Sequence, residues 1–178
     1  MNLEEKTLTE NYVFDGPLIK VRKDSALIPN GNVATRVVVE HPGGVCVVPL
    51  TDEDEVLFVQ QFRYPYKEFL LEIPAGKRDP GEDPLTTGKR ELSEETGFTA
   101  QNYVFLGTLY PTPGYCDEVI YMYLATDLTA GQTHPDEDEF VEVVKMPLSE
   151  AVQKILAGEI TDAKTQTAIL KVWAMRQQ

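Results

Sequence analysis

Through the first three-quarters of the chain, apolar and polar positions run in short β-rich stretches separated by turn signals. Phe14 to Leu27 mixes apolar and polar residues and is interrupted near Gly16-Pro17. Pro29-Asn30-Gly31-Asn32 is a strong turn, after which Val33 to Glu40 resumes as a strand, so residues 12–40 read as one or two hairpins. His41-Pro42-Gly43-Gly44 breaks the chain. Val45–Leu50 and Val56–Tyr64 flank the acidic turn Thr51 to Glu55, and Phe69–Ile73 is a short apolar strand. The period then changes. Asp83-Pro84 supplies an N-cap and a first-turn proline, and Gly97 supplies a left-handed stop, so the spacing predicts a helix of about thirteen residues between them. Strands return at Tyr103–Leu109, Val119–Thr126 and Phe140–Lys145. Two helices follow, over roughly Leu148–Ala157 and Asp162–Arg176. The sum is an α+β pattern with few parallel βαβ units.

Composition narrows the class. At 178 residues, with 42% hydrophobic and 25% charged, the chain suits one globular domain with at most a small extension. No apolar run approaches a membrane span, and Met1 to Lys6 carries no signal-peptide pattern, so the expected location is cytoplasmic. Cys46 sits in an apolar run and reads as core, and two cysteines do not make a disulfide framework. The net charge of −13 argues against a nucleic-acid polymer as partner, which would need a surplus of Lys and Arg. It also means that an anionic substrate requires local positive charge, from Arg, Lys or a metal ion.

The richest feature is Arg90-Glu91-Leu92-Ser93-Glu94-Glu95-Thr96-Gly97-Phe98. Glu91, Glu94 and Glu95, at i, i+3 and i+4, share one helix face. Such like charges repel unless something compensates, and a hard divalent cation does. Taken by itself the triplet is more often a solvated acidic face. Its setting changes that weighting: Gly76 lies six positions before Glu82, and Glu82 eight before Arg90. The run from Gly76 to Phe98 resembles the signature box of the Nudix family, matching all nine specified positions over 23 residues.

That resemblance implies a Nudix fold, with mixed β-sheets sandwiched between helices. It implies metal-dependent hydrolysis of a nucleoside diphosphate linked to another group, with Mg2+ expected and Mn2+ as the alternative. It assigns Glu91 and Glu95 as the main metal ligands, with Glu94 close by and the Ala75 carbonyl as a backbone ligand. Arg90 would orient the glutamates. Gly76, Glu82 and Gly97 are structural members of the box. With the helix carboxylates occupied as ligands, a further base is wanted for the attacking water. Asp136-Glu137-Asp138-Glu139 supplies candidates, and similarity to ADP-ribose pyrophosphatases favours Glu137 as base and Glu139 as an extra ligand. A solvated acidic loop is the plainer reading of the same run.

Flanking residues address the substrate. Gln61-Phe62-Arg63-Tyr64, Leu71 to Gly76, and Pro113, fifteen positions past Phe98, resemble the ADP-sugar branch. Arg36 and Arg63 suit phosphate oxygens, Glu118 suits ribose hydroxyls, and Phe14 or Tyr64 suits stacking on adenine. Ion pairing, turn solvation and core packing are the corresponding plain readings. The leading expectation is hydrolysis of ADP-ribose to AMP and ribose 5-phosphate. The alternatives are another sugar nucleotide or dinucleotide, or a non-catalytic nucleotide sensor, against which the intact glutamates argue. Residues 1–42 form an N-terminal antiparallel β-sheet extension to a hydrolase domain at 43–178, and the resemblance implies that this extension dimerises two copies.

Overall fold

A computed structural model of the chain describes residues 2–134 and 140–177. The described chain divides into two compact units, residues 1–43 with 110–119, and residues 44–109 with 120–178.

The first unit is a four-stranded antiparallel sheet of β1 (Lys6–Thr9), β2 (Tyr12–Asp15), β3 (Lys20–Leu27) and β4 (Val33–Glu40). β4 pairs β3 along its whole length, while β1 and β2 pair opposite ends of β3. The hairpin at residues 29–32 is as expected; β1 lies outside the expected strands, because its four residues are all exposed and carry no buried face to read. The segment from Tyr110 to Val119 belongs with this unit through space: Val39 donates to the Tyr115 carbonyl at 2.7 Å, and Asp117 donates to the Val39 carbonyl at 3.1 Å.

The second unit holds two sheets and three helices. One sheet runs in the order β8 (Ala75–Lys77), β5 (Gly44–Pro49), β10 (Ile120–Ala130), β9 (Phe98–Leu109). The other runs β11 (Val141–Pro147), β6 (Glu55–Arg63), β7 (Glu68–Glu72). The central pair β5–β10 is parallel and the remaining pairs are antiparallel. The helices are α1 (Pro84–Thr96), α2 (Leu148–Leu156) and α3 (Ala163–Arg176). β9 begins at Phe98 rather than Tyr103. Its first residues, Phe98 to Asn102, mix apolar and polar types, none of them buried, and their strand conformation comes from pairing with the far end of β10.

β5 organises the packing because all six of its residues, on both faces, are buried. Its two-residue period sends Cys46 and Val48 into the main core with Phe58, Ile73, Met122, Leu148, Val152 and Ile169. Val47 points the other way, to a smaller cluster with Leu92 of α1 and Ala125. Burial pushes the Cys46 thiol pKa up to about 12, so it is an inert packing group, and both cysteines are free.

Gly88 lies mid-helix where glycine costs about 1 kcal/mol relative to alanine. The reason is packing: a Cβ there would lie 3.0 Å from Val45 Cγ1 and 3.2 Å from Val47 Cγ2. Both valines are fully buried and β-branched, with little freedom to retreat. Overpacking costs about 1–3 kcal/mol, which exceeds the propensity gain. Gly88→Ala is therefore expected to lower unfolding free energy by about 1 kcal/mol, measured by urea denaturation; a stabilised variant would show that α1 can lift off β5 freely.

Candidate active site

The site is built where α1 meets β8. Asp83 Oδ2 caps α1 by accepting from the Thr86 N–H at 3.1 Å, with Pro84 at the first helical position. Gly97 ends the helix with φ of 74°, and its N–H donates to the Ser93 carbonyl at 2.9 Å. A side chain at Gly97 would also meet the backbone of Gln132 and Thr133 at 2.9 Å.

The helix presents its carboxylates to β8 rather than to solvent. Glu91 is 6% exposed and Glu95 is 3% exposed. Glu95 Oε2 accepts from the Ala75 N–H at 2.9 Å. Gly76 lies so close that a Cβ on it would fall 1.9 Å from Glu91 Oε1. The glycine is thus required by contact, since any other residue would occupy the position of that carboxylate.

Arg90 gathers the rest. One terminal nitrogen contacts Glu91 Oε1 at 2.8 Å and Glu94 Oε2 at 2.9 Å. The other donates to the Lys77 carbonyl at 3.2 Å and contacts Glu82 Oε2 at 3.5 Å. Burial by itself would lower the Arg90 pKa; the surrounding Glu91, Glu82 and Glu94 outweigh it and hold the pKa above its ordinary value. Glu82 in turn accepts from the Thr87 hydroxyl at 2.7 Å and the Asp79 N–H at 3.3 Å, and with Arg90 nearby its pKa is lowered. Arg78 donates to the Glu82 carbonyl at 2.6 Å, so the loop between β8 and α1 is tied at both ends.

This donor set suits a hard divalent cation. Buried carboxylate oxygens lie beside a backbone strand with no intervening side chain. Among the described residues no three or more His, Cys, Asp and Glu side chains are grouped so as to hold a metal ion by themselves. A Mg2+-type ion takes only a few protein oxygens and fills its shell with water and substrate phosphate.

A model of the NUDIX domain matches residues 40–166. The chain belongs to the Nudix family. It is 41% identical to an ADP-ribose pyrophosphatase of Bacillus subtilis, over 94% of this chain and 92% of that one. It is 40% identical to a methanol dehydrogenase activator of Bacillus methanolicus, over 93% and 91%. An ADP-ribose pyrophosphatase of Mycobacterium tuberculosis is 34% identical, over 96% and 84%. A solved structure of an ADP compounds hydrolase superposes with a TM-score of 0.86 at 25% identity, covering 99% of this chain and 98% of that one. The α+β Nudix architecture expected from the box is the one found, and the activity class is that of a pyrophosphohydrolase.

The other residues singled out in this Nudix chain fall in several places. Arg63 is engaged: its Nε and one terminal nitrogen each lie 2.6 Å from a different oxygen of Glu72. Tyr64 is 74% exposed, with the Lys67 ammonium 2.9 Å from its ring centre. Phe14, Arg36 and Glu118 belong to the first unit. Phe14 is 53% exposed on β2. Arg36 is paired with Glu5 at 2.5 and 2.7 Å and lines a cavity of about 470 Å³ with Tyr110, Pro113, Tyr115 and Asp117. Glu118 lies 3.4 Å from His41 Nδ1. Glu137 and Glu139 lie outside the described residues.

Nothing in the local sequence marks Glu72, at the end of β7, or Asp162, Lys164 and Thr165, at the start of α3, as a connected group beside Ala75. Glu72 is 1% exposed and binds Arg63 and Lys164 together. Burial would raise its pKa; the two cations overcome this and hold it below the usual 4.5. Because the native value lies below the unfolded one, the stability contributed by Glu72 is complete above pH 4.5 and is lost as the pH falls through the native value. The Glu72→Gln variant is expected to be about 3 kcal/mol less stable at neutral pH, the low end for a broken buried pair because Arg63 keeps some solvent. Its stability is also expected to fall less steeply than wild type on acidification below about pH 5, in denaturant titrations across pH. An acid limb identical to wild type would assign the pH dependence elsewhere.

Proposed function

We propose that this Nudix hydrolase cleaves ADP-ribose to AMP and ribose 5-phosphate with Mg2+ as its metal. The observation that carries the reading is the box geometry, in which Glu91 is buried against Gly76, which has no side chain, and Glu95 against the Ala75 N–H. Family members depend generally on a divalent metal, and two relatives matched along most of their length are ADP-ribose pyrophosphatases.

In this reading Glu91, Glu95, Glu94 and the Ala75 carbonyl hold the metal, with Glu139 as a further ligand. The bound ion supplies charge neutralisation at the diphosphate and acidifies water. Glu137 takes the proton of the attacking water; a new P–O bond forms to the water oxygen as the bridging P–O bond breaks. His134, the last described residue before the acidic run, donates its N–H to the Glu94 carbonyl at 3.0 Å. This supports the use of Glu137 and Glu139 at the site. Arg90 neutralises and orients the glutamates. Arg63, Arg36, Glu118 and an aromatic, Phe14 or Tyr64, hold the substrate. For Arg63 this requires sharing its guanidinium between Glu72 and phosphate.

The N-terminal unit is proposed to pair two copies in a homodimer. Tyr12, Val13, Phe14, Val33 and Val37 lie exposed on its strands, which supports that reading. Among the described residues no helix is long and apolar enough to cross a membrane, and the proposed location is the cytoplasm.

A second substrate reading has a specific motive: GDP-mannose pyrophosphatases are 31% and 32% identical over 92% of this chain. The deciding measurement is kcat/KM with Mg2+ for ADP-ribose, ADP-glucose, GDP-mannose, NADH and diadenosine polyphosphates. ADP-ribose is expected to lead; a GDP-sugar leading it would overturn the substrate. Glu95→Gln is expected to abolish Mg2+-dependent turnover while the circular dichroism spectrum is kept, and unchanged activity would remove the metal-ligand assignment. Glu137→Gln is expected to lower kcat about 100-fold or more with little change in KM. If Glu139→Gln does this instead, the base has been assigned to the wrong residue.

A further inference from the structure

We propose that Thr165, at the start of α3, is a positioning residue for the metal-facing backbone at Ala75. The inference rests on the metal site proposed above. Between Glu72, the last residue of β7, and Ala75, the first of β8, lie only Ile73 and Pro74. Each residue of this short segment is gripped. Glu72 is held by Arg63 from β6 and by Lys164 from α3. The Ile73 N–H donates to Thr165 Oγ1 at 2.9 Å. Pro74 has no N–H, and its carbonyl accepts from Val47 at 2.9 Å. The Ala75 N–H donates to Glu95 Oε2 at 2.9 Å.

The Thr165 contact stands apart from what the helix needs. Asp162 caps α3 by accepting from the Thr165 N–H at 2.9 Å, which satisfies the helix terminus. The Thr165 hydroxyl adds something else. It donates to Asp162 Oδ2 at 2.6 Å, so its single proton is committed and a lone pair is left for the Ile73 N–H. The direction of this relay is therefore set by the Asp162 carboxylate. Lys164 lies 3.0 Å from the other Asp162 oxygen and also reaches Glu72, so the first turn of α3 holds the segment at residues 72 and 73 together. Thr165 and Ile73 are fully inaccessible, and no water replaces a lost hydroxyl without movement of the strand. A Mg2+ ion tolerates little displacement of a ligand oxygen, its bonds being about 2.0–2.1 Å in near-octahedral geometry. Groups that orient ligands from outside the coordination shell typically contribute about 10–100-fold to metal affinity.

The test compares wild type, Thr165→Val and Thr165→Ser as full-length protein. Mn2+ binding without substrate is followed by the electron paramagnetic resonance of free Mn2+, and thermal unfolding is recorded in parallel. Thr165→Val is expected to bind Mn2+ about 10-fold more weakly, and Thr165→Ser, which keeps the hydroxyl, within about 2-fold of wild type. At saturating metal the KM for nucleotide substrate is expected to be unchanged. If Thr165→Val fails to fold, Thr165→Ala removes the same hydroxyl and carries the same expectation. Wild-type Mn2+ affinity in the hydroxyl-free variant, with only its melting temperature lowered, would make Thr165 a structural contact and overturn the inference alone. If wild type itself binds no Mn2+, the metal-site reading fails and the inference falls with it.

Discussion

Glu91, on the inner face of α1, can be buried against the neighbouring strand only because that strand, at Gly76, has no side chain where the carboxylate arrives. The Gly76 backbone and the Glu91 carboxylate occupy what would be a single side chain's volume. The Ala75 N–H next to it is turned to Glu95. This close approach dictates much of what surrounds it. α1 must lie low over β5, which requires Gly88 against Val45 and Val47. It must stop where the chain can turn away, which Gly97 allows through its positive φ.

Burying carboxylates is unfavourable unless their charge is answered. Arg90 answers part of it, bridging Glu91, Glu94 and Glu82. A similar arrangement recurs on the other side of the Ala75 segment, where Arg63 and Lys164 enclose Glu72. In a chain of net charge −13, Arg90, Arg63 and Lys164 are thus committed to carboxylates beside the Ala75 segment. These cations do not outnumber the carboxylates they face, so attraction of an anionic substrate falls to a divalent cation.

Near the site the sheet geometry converts spacing into chemistry. β5 lies between α1 on one face and the main core on the other, so its position is determined from both sides. β8 pairs β5 through Cys46↔Ala75, and inherits that rigidity. The end of α1 and the approach to the acidic run are joined through Gly131 to Gly97 and His134 to Glu94.

The features legible in the sequence were those with short-range causes. Asp83, Pro84 and Gly97 mark the ends of α1 because capping is local. The carboxylate face follows from helical period, and the family from residue types at fixed spacing between Gly76 and Phe98. The features that tertiary structure decided depend on partners distant in sequence. Thr165 and Lys164 meet Ile73 and Glu72 across about ninety residues, with nothing in their own neighbourhood to announce it. The exposed strand β1 and the first residues of β9 are strands through pairing, not through a buried face. Arg63 suits phosphate or an ion pair by residue type, and its partner, the buried Glu72 nine positions away, is set across the β6–β7 hairpin. Local sequence thus determined which groups share the helix face, because the helix repeats every few residues. Only the folded chain decided what those groups face, because burial and charge pairing are settled between elements that the linear order keeps apart.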